Sequence, residues 1–212
     1  MIIAIDGTTA SGKGTIAKRL AARYGLPHMD TGRLYRATAV AAIKQGIALD
    51  DASGLARIAA GLDLASFSEA NLRTGEAGKA ASKVAVIPEV RQALFDLQRA
   101  FATQPCGALL DGRDIGTVIA PDADVKLWVD ANVEQRGYRR WREYLGYGQD
   151  ITLEEVVKQL RIRDERDQSR KDAPAIIATD AVLIDTTDLT IDAAVEKAIA
   201  AVEAVLARGK TA

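Results

Sequence analysis

The chain has 212 residues, 48% of them apolar, and a formal net charge of −1. This length and apolar content predict one domain with a continuous core, and the near-zero charge excludes a global basic field for a nucleic-acid polymer. The single histidine, His28, and the single cysteine, Cys106, make a Ser-His-Asp triad, a Cys-His nucleophile and a thiolate zinc site hard to build.

Strand and helix patterns alternate through the first half of the chain. Apolar residues at helical spacing, such as Ile16 and Leu20, distinguish the helices from the short apolar runs that predict buried strands. Residues 62–75 are weakly patterned, and we predict an irregular segment there. The other elements predicted here are strands at 2–5 and 28–30, helices at 13–24 and 32–45, a short helix capped by Asp50 or Asp51 that runs to Ile58, and helices at 76–86 and 89–102.

The second half continues this alternation. Residues 152–155 have the sequence of a capping box, which predicts the start of a long charged helix. The other elements predicted here are strands at 107–111, 125–129 and 182–185 and helices at 133–144 and 192–207. The whole pattern predicts a three-layer α/β fold with a parallel sheet of about five strands flanked by helices.

Two regions, about 48–86 and 136–150, interrupt the alternation of strands and helices. Inserts of this kind are often mobile pieces over a site. The remaining residues, about 1–47, 87–135 and 151–212, form the predicted core of a single domain.

The strongest motif is a glycine-rich loop between the first predicted strand and the first predicted helix. It comprises Gly7, Thr8, Thr9, Ala10, Ser11, Gly12, Lys13, Gly14 and Thr15. In this context backbone N–H groups and the helix N-terminus surround phosphate oxygens, and Lys13 adds a mobile charge for the β- and γ-phosphates of a nucleoside triphosphate. The strict pattern places Ser or Thr directly after the lysine. Here Gly14 stands there and Thr15 follows, an ending typical of nucleoside monophosphate kinases.

Arginines placed beside carboxylates, glycines and aromatic residues indicate where a phosphate acceptor binds. If residues 161–170 are helical, Arg163, Asp167 and Arg170 share one face. A solvated helix with surface salt bridges shows the same pattern. We favour ligand binding because Arg36 and Arg113 also lie near predicted carboxyl ends of strands, the edge at which open α/β sheets bind ligands.

Over nearly its whole length the chain resembles the bacterial-type cytidylate kinases, which are P-loop kinases. The block at 111–118, Asp-Gly-Arg-Asp-Ile-Gly-Thr-Val, is specific to this family, whereas many families share the phosphate loop. The other segments that carry the resemblance are 5–7, 12–15, 30–32 with 35–36, 81–85, 90–91, 163–170 and 173–174.

The resemblance implies a P-loop kinase fold that transfers the γ-phosphate of ATP, with Mg²⁺, to CMP or dCMP. It implies a small nucleoside-monophosphate-binding insert at 48–86 and a lid over ATP at 136–150. Four residues are implied to read cytosine: Ser82, Arg91, Asp114 and Arg170. Ribose contacts are implied for Arg163 and Asp167, and a clamp on the acceptor phosphate for Arg36 and Arg113, with Thr31 as a further substrate contact. The implied catalytic cations are Lys13, Arg113, Arg139 and Arg163.

The chemistry of cytosine suits these residue types. Cytosine has a donor at N4, which the Asp114 carboxylate accepts, and acceptors at N3 and O2, to which serine and arginine donate. Because the acceptor phosphate is already ionised, it needs no strong general base, and we expect catalysis by positioning and charge neutralisation. The sequence assigns no direct Mg²⁺ ligand and leaves the order of preference among CMP, dCMP and UMP open.

The segment at 66–76 is shorter than in longer members of the family, where the region carries part of a small antiparallel sheet. The resemblance therefore implies a reduced sheet in the insert. No apolar run approaches the about 20 residues needed to span a bilayer, and the N-terminus lacks the basic segment of a signal peptide. We expect a cytoplasmic protein that does not bind membranes, and a monomer.

Two alternatives remain open. One is another small-molecule P-loop kinase that acts on AMP, UMP or an alcohol such as shikimate, for which Asp30 or Asp114 would serve as the base. The other is a P-loop switch protein, which would need a water-positioning glutamine and an Asn-Lys-x-Asp motif. The sequence has neither feature in a recognisable context.

Overall fold

The structure, a computed structural model, describes residues 1–209. Within them a single five-stranded sheet has the strand order β2-β3-β1-β4-β5. β1 pairs in parallel with both β3 and β4, and β4 pairs in parallel with β5. The strands are β1 (Ile2–Gly7), β2 (His28–Asp30), β3 (Ala108–Gly112), β4 (Val125–Asp130) and β5 (Val182–Asp185). The predicted α/β class, with about five strands, is confirmed.

Helices connect the strands, as parallel pairing requires. Those described are α1 (Lys13–Tyr24), α2 (Thr31–Lys44), α3 (Ala52–Ala60), α4 (Glu69–Leu72), α5 (Gly75–Val84), α6 (Pro88–Ala102), α7 (Val133–Gly146), α8 (Leu153–Gln168) and α9 (Ile191–Gly209). A 3₁₀ turn at Leu64–Ser66 and a π-helix at Ile115–Ile119 complete the regular structure. No helix within residues 1–209 has both the length and the apolar content to cross a membrane.

The chain divides into two compact units. The first, here called the sheet unit, consists of Met1–Met29 and the chain from Ala102 onward; the second, the helical unit, is Asp30–Phe101. The predicted insert at 48–86 lies inside the helical unit, and the predicted lid at 136–150 consists of most of α7 and the loop that follows it. The exact bounds and the mobility of both pieces stay predictions.

The core of the sheet unit lies between the sheet and the helices α1 and α9. Ile3 and Ile5 of β1, Leu109 of β3 and Val129 of β4 are fully buried, and Leu20 of α1 packs in the same cluster. Strands covered on both faces carry continuous apolar runs, which is why these segments were recognised from sequence. The packed core holds the carboxyl ends of the central strands in place, and the polar residues of the site follow them directly.

In the helical unit, α2 packs against α3 and α5. Asp51 caps α3 through the backbone N–H of Gly54 (2.9 Å), as predicted. The prediction of an irregular segment at 62–75 was wrong in part, because the 3₁₀ turn and α4 lie there. Both elements are too short to show helical periodicity in the sequence. The described residues between β2 and β3 include no strand, in keeping with the reduced insert sheet that the resemblance implied.

Helices α7 and α8 pack together in the sheet unit. Tyr144 of α7 and Val156 and Leu160 of α8 form a small buried cluster. The predicted capping box is present, since the side chains of Thr152 and Glu155 each accept a hydrogen bond from the other residue's backbone N–H. The helix ends at Gln168, so the condition that residues 161–170 are all helical is met only as far as residue 168.

Candidate active site

The loop from Gly7 to Lys13 leads from β1 into the first turn of α1. An added Cβ at Gly7 would lie 1.9 Å from the carbonyl oxygen of Val129, so only glycine fits beside β4. Gly12 has φ +90° and precedes α1 without a side-chain cap. The N-terminus of α1 therefore presents its first backbone N–H groups as an anion-binding end, the geometry that phosphate loops use.

Hydrogen bonds from distant parts of the sheet unit hold this loop. Thr8 Oγ1 donates to Asp130 Oδ1 (2.6 Å) at the end of β4. Thr186 Oγ1, just after β5, donates to the carbonyl oxygen of Ser11 (2.8 Å). Sequence reasoning missed Asp130 and Thr186 as loop supports, because neither belongs to a motif and both are more than 100 residues from the loop. The loop is thus preorganised by the ends of two neighbouring strands.

Lys13 forms an ion pair with the buried carboxylate of Asp111. Its Nζ is 2.8 Å from Asp111 Oδ1, and the other carboxylate oxygen, Oδ2, is 2.8 Å from His28 Nε2. The Asp111 side chain is 2% exposed. Burial tends to raise the pKa of Asp111, but the charge of Lys13 and the hydrogen bond to His28 outweigh burial and hold that pKa well below its usual range. His28 received no role from the sequence.

Asp6, at the end of β1, lies in the same part of the sheet but has a different environment. Its two carboxylate oxygens accept hydrogen bonds from the backbone N–H groups of Ile115 (2.9 Å) and Gly116 (2.8 Å). Burial raises the pKa of Asp6 to about 7, and the nearby charge of Asp114 acts in the same direction. Asp6 therefore holds the start of the π-helix and, with it, the backbone that follows Asp114.

Three arginines surround one carboxylate at the carboxyl end of α8. Asp167, 3% exposed, accepts hydrogen bonds from Arg113 Nε (3.2 Å) and from Arg170 Nη2, and Arg163 Nε lies 3.7 Å away. Burial tends to raise the pKa of Asp167, but the three guanidinium charges outweigh it and hold the pKa below its ordinary value. The sequence prediction that Arg163, Asp167 and Arg170 lie together is confirmed, although Arg170 lies beyond the helix end.

Arg113 joins this arginine group to the phosphate loop. Its Nη2 donates to Thr9 Oγ1 (2.6 Å), and its Nη1 donates to the carbonyl oxygen of Gly112 (2.9 Å). One guanidinium group therefore bonds both to the loop and, through Nε, to Asp167. Asp114, one residue further on, is 6% exposed.

Two arginines of α7 contact the loop from the other side. Arg136, which is buried, donates to the carbonyl oxygens of Ala131 (2.8 Å) and Thr9 (3.3 Å) and pairs with Asp164 of α8 (2.7 Å). Arg139 donates to the carbonyl oxygen of Thr186 (2.6 Å) and lies near that of Ser11 (3.5 Å). Burial lowers the pKa of Arg139. Sequence reasoning placed Arg139 near ATP but missed Arg136, which ties α7, α8 and the loop together.

A cavity of about 310 Å³ opens beside the loop in the sheet unit. The phosphate loop and α1 form one wall, α7 a second, and the segment from Thr186 to the start of α9 a third. Its lining residues are Ala10, Ser11, Gly12, Thr15, Ile16, Arg139, Arg140, Glu143, Thr186, Leu189, Thr190, Ile191 and Ala194. The mixture of apolar walls with a few polar groups is typical of a small-ligand site.

The other predicted substrate residues lie in the helical unit. Thr31 and Ser82 are buried, at the start of α2 and within α5. Arg36 Nη2 donates to Asp30 Oδ2 (2.7 Å), while Asp30 Oδ1 caps α2 by accepting from the backbone N–H of Arg33 (3.2 Å). Arg91 of α6 lies over the ring of Tyr35 and donates to its hydroxyl (3.3 Å). Their roles toward a ligand stay predictions.

Comparison with known proteins decides the family. The family model described as cytidylate kinase matches residues 3–204. The chain belongs to the cytidylate kinase family. Two relatives named cytidylate kinase come from Methylocella silvestris, 55% identical over 96% of this chain and 94% of that protein, and from Xanthobacter autotrophicus, 54% identical over 96% and 98%. The resemblance inferred from the sequence is confirmed.

Solved structures add the fold alone. A protein from Eubacterium ventriosum matches with a TM-score of 0.55 and 15% identity, over 96% of this chain and 98% of that one. A gluconokinase from Sinorhizobium meliloti matches with a TM-score of 0.51 and 11% identity, over 96% and 92%. At such identities the cytidylate kinase family assignment comes from the sequence relatives, and the structures support the predicted kinase-like α/β fold.

Proposed function

We propose that the chain transfers the γ-phosphate of ATP to CMP or dCMP and releases ADP with CDP or dCDP. One observation carries this proposal beyond family membership. Arg113, which belongs to the family-specific block, donates hydrogen bonds both to Thr9 of the phosphate loop and to the buried carboxylate of Asp167. Asp167 also pairs with Arg163 and Arg170. The loop for the donor phosphates is thus connected to a group of cations suited to a second phosphate.

On the donor side, the phosphate loop and the cavity beside it suit ATP. The N-terminus of α1 and Lys13 take the phosphates, since both favour anions. The apolar walls of the cavity, which include Ile16, Leu189 and Ile191, take the flat adenine base. Arg139, which lines the opposite wall, is proposed to contact the bound ATP, as the resemblance implied.

The acceptor side carries a surplus of positive charge. Arg113, Arg163 and Arg170 share one carboxylate partner, Asp167. A phosphate dianion brought beside them is therefore attracted and held in position. We propose that Arg113 and Arg163 contact the transferring and accepting phosphates, and that Arg170 contacts the base. Asp167 holds these arginines in position through its bonds to guanidinium groups. Asp167 and Arg163 stay proposed as contacts to the ribose hydroxyls.

We propose that Asp114 accepts the N4 hydrogen bond of cytosine, while Ser82 and Arg91 donate to the ring acceptors. Asp114 suits this role because it is held on a backbone that Asp6 fixes. Thr31 and Arg36 are proposed as further contacts to the acceptor nucleotide. When the acceptor binds, Arg36 would leave its ion pair with Asp30 and bind the phosphate of the nucleoside monophosphate.

The chemical step needs no base, because the attacking oxygen of the nucleoside monophosphate is already ionised. That oxygen forms a bond to the γ-phosphorus while the bond to the β–γ bridging oxygen breaks, and ADP leaves with the electron pair. The residues of this chain act by alignment and by neutralising charge on the transferring group. Helix α7, held to the loop through Arg136, helps to exclude water from the donor phosphates.

Mg²⁺ is proposed to arrive with ATP. Mg²⁺ prefers oxygen ligands, including phosphates and water. The loop fits this ion, since Thr15, an exposed residue in the first turn of α1, carries a hydroxyl oxygen. When bound, the ion supplies further neutralisation of the phosphate charge. Cytoplasmic location and the monomeric state stay predictions.

The test is ADP release from ATP and Mg²⁺ with CMP, dCMP, UMP, AMP, GMP and shikimate in parallel. We expect CMP and dCMP to be well ahead of the other acceptors. Higher activity with AMP or shikimate, or ADP release that does not depend on an acceptor, would contradict the proposed substrate and leave the phosphate loop intact as a nucleotide site.

A further inference from the structure

The phosphate loop is held from outside through its carbonyl groups. Arg136 of α7 donates from Nη1 to the carbonyl oxygen of Thr9 (3.3 Å), and Thr186 donates from Oγ1 to that of Ser11 (2.8 Å). Ser11 Oγ in turn donates to the carbonyl oxygen of Thr8 (3.0 Å). Because a peptide unit is planar, the direction of each carbonyl also fixes the direction of the N–H group that follows it.

The peptide unit between Thr9 and Ala10 is the one that Arg136 holds. In a trans peptide the carbonyl and N–H groups point in opposite directions. Since the Thr9 carbonyl is directed at Arg136, the N–H of Ala10 points away from Arg136. Ala10 also lines the cavity beside the loop. The side chain of Arg136 thus determines where one backbone donor of the loop is directed.

Ala10 adopts a backbone conformation that alanine disfavours. Its φ is +64°, in the left-handed region where Cβ crowds the backbone. A flip of the Thr9–Ala10 peptide unit would bring this φ to negative values with little change in the chain path, as between type I and type II turns. The flip would also exchange the directions of the Thr9 carbonyl and the Ala10 N–H. The observed orientation therefore needs a contact that holds the Thr9 carbonyl outward.

Arg136 is fixed firmly enough to be that contact. Its side chain is 6% exposed, and its Nε donates to the carbonyl oxygen of Ala131 (2.8 Å). Its Nη2 pairs with the carboxylate of Asp164 in α8 (2.7 Å). A guanidinium group is planar and holds its N–H donors in fixed directions. Once Ala131 and Asp164 have fixed two of these donors, Nη1 is left with little freedom to turn away from Thr9.

We propose that Arg136 is a positioning residue for the donor phosphates: by holding the Thr9 carbonyl outward, it directs the N–H of Ala10 to a phosphate oxygen of the bound nucleotide. Arg136 acts through the loop and not by contact with the nucleotide. A peptide in this orientation adds a hydrogen-bond donor and keeps a carbonyl oxygen, which would repel the phosphates, away from them. This inference rests on the proposed function only in taking the loop as the site of the donor phosphates.

Two substitutions, alone and combined, test the proposal in the full chain. Arg136→Lys keeps a cation for Asp164, which attracts an ammonium group more strongly than a carbonyl does, but it lacks the second directed donor for Thr9. Ala10→Gly removes the preference for the flipped peptide, because glycine adopts a positive φ readily. Calorimetric titration with the β,γ-methylene analogue of ATP and Mg²⁺, without an acceptor, gives the Kd for the native chain, the two single variants and the double variant.

We expect Arg136→Lys to raise the Kd of the analogue about tenfold when Ala10 is in place, as the loss of one well-directed donor to a charged group would. In the Ala10→Gly background the same substitution should raise the Kd by about threefold or less, because the peptide then keeps its orientation more easily without Arg136. Arg161→Met is the matched control. It removes an exposed ion pair between α8 and α7, from Arg161 to Glu134 (2.6 Å), and should leave the Kd unchanged.

An equal increase of the Kd in the two backgrounds would overturn the proposal, because Arg136 would then act only by holding α7 to α8. An unchanged Kd in Arg136→Lys would overturn it too, as would an increase in Arg161→Met as large as that in Arg136→Lys. Thermal unfolding without nucleotide identifies the folded variants, to which the comparison applies.

A measurement on the native chain does not depend on how any variant folds. In isotope-labelled protein, the amide proton resonance of Ala10 should shift downfield when the analogue binds, the sign of a new hydrogen bond to a phosphate oxygen. The absence of this shift would overturn the proposal. Both measurements omit the acceptor, so a lack of CMP-dependent ADP release would contradict the proposed reaction and leave this inference standing. Failure of the native chain to bind the analogue would contradict the donor site and this inference with it.

Discussion

Two buried carboxylates of the sheet unit, Asp111 and Asp167, both contact positively charged groups, but in different proportions. Asp111 is shared by one lysine and one histidine, whereas Asp167 is shared by three arginines. In both cases the neighbours overcome the effect of burial and hold the pKa of the carboxylate below its usual range. The first group adjoins the donor loop, and the second is joined to that loop through Arg113.

This difference indicates two uses of a buried counter-ion. In the proposed reaction, Lys13 beside Asp111 is a single mobile charge that stays neutralised until a triphosphate binds. Around Asp167 the arginines exceed the carboxylate, so a positive field persists and guanidinium groups remain able to bind a second phosphate. Asp6 is a third case, in which two backbone N–H groups hold the carboxylate and burial raises its pKa.

The largest effect is expected for Lys13→Ala, which removes the mobile charge on the donor side. We expect kcat/KM to fall by about 10³-fold, because one cation is lost from the transferring phosphates. The protein should remain folded, since His28 still contacts Asp111. ADP release and thermal unfolding measure the two effects. Lys18→Ala, an exposed change on the same helix, is the matched control, and near-normal turnover in Lys13→Ala would refute the role of the loop.

Removing the counter-ion on the acceptor side should cost stability. We expect Asp167→Asn to lower the free energy of unfolding at pH 7 by about 3 kcal/mol, since it leaves three guanidinium groups without their carboxylate. The lowered pKa means that this contribution is present above the ordinary pKa of aspartate and is lost as the pH falls through the lowered one. Urea unfolding against the exposed control Asp172→Asn measures it. Equal stability of the two variants would show that Asp167 is not an organising counter-ion.

Arg170→Met tests whether the arginine group serves the acceptor and not the donor. We expect the KM for CMP to rise by about 10- to 100-fold, which corresponds to the loss of a charge-assisted hydrogen bond, and the KM for ATP to change little. Initial rates with each substrate varied in turn give both constants. Arg161→Met, which removes an exposed arginine of α8, should leave both KM values unchanged. Equal increases in the two KM values would reject the assignment of Arg170 to the acceptor.

The last prediction concerns the pH dependence of stability that comes from Asp6, whose carboxylate is held by two backbone N–H groups. Because its pKa is raised to about 7, the folded state holds a proton that the unfolded state releases above its ordinary value near 3.8. Its contribution to stability therefore decreases as the pH rises from about 4 to about 7, by at most about 1.4 kcal/mol per pH unit. Asp6→Asn should lose this slope, while the exposed control Asp188→Asn keeps it. Unfolding free energies at pH 5, 6, 7 and 8 measure the slope, and parallel curves for native protein and Asp6→Asn would contradict the assignment.

The sequence by itself determined the fold class and the family, and it supplied the candidate site residues that stay predictions. Strands buried on both faces carry continuous apolar runs, and the glycines of the phosphate loop meet local requirements, such as the positive φ of Gly12 before α1. The proximity of Arg163 and Asp167 follows from the spacing of a helix. These features depend on neighbours along the chain and are therefore visible in it.

Only the tertiary structure decided which charges are paired. His28, Asp111 and Lys13 are far apart in the sequence and meet because β2 and β3 are neighbours in the sheet and α1 starts beside them. Asp130 and Thr186 support the loop from the ends of β4 and β5 for the same reason. Parallel strands bring residues from remote segments to one edge, and no local pattern records which of them will touch. The pKa of each carboxylate follows from those contacts and from burial, and so it too depends on the folded chain.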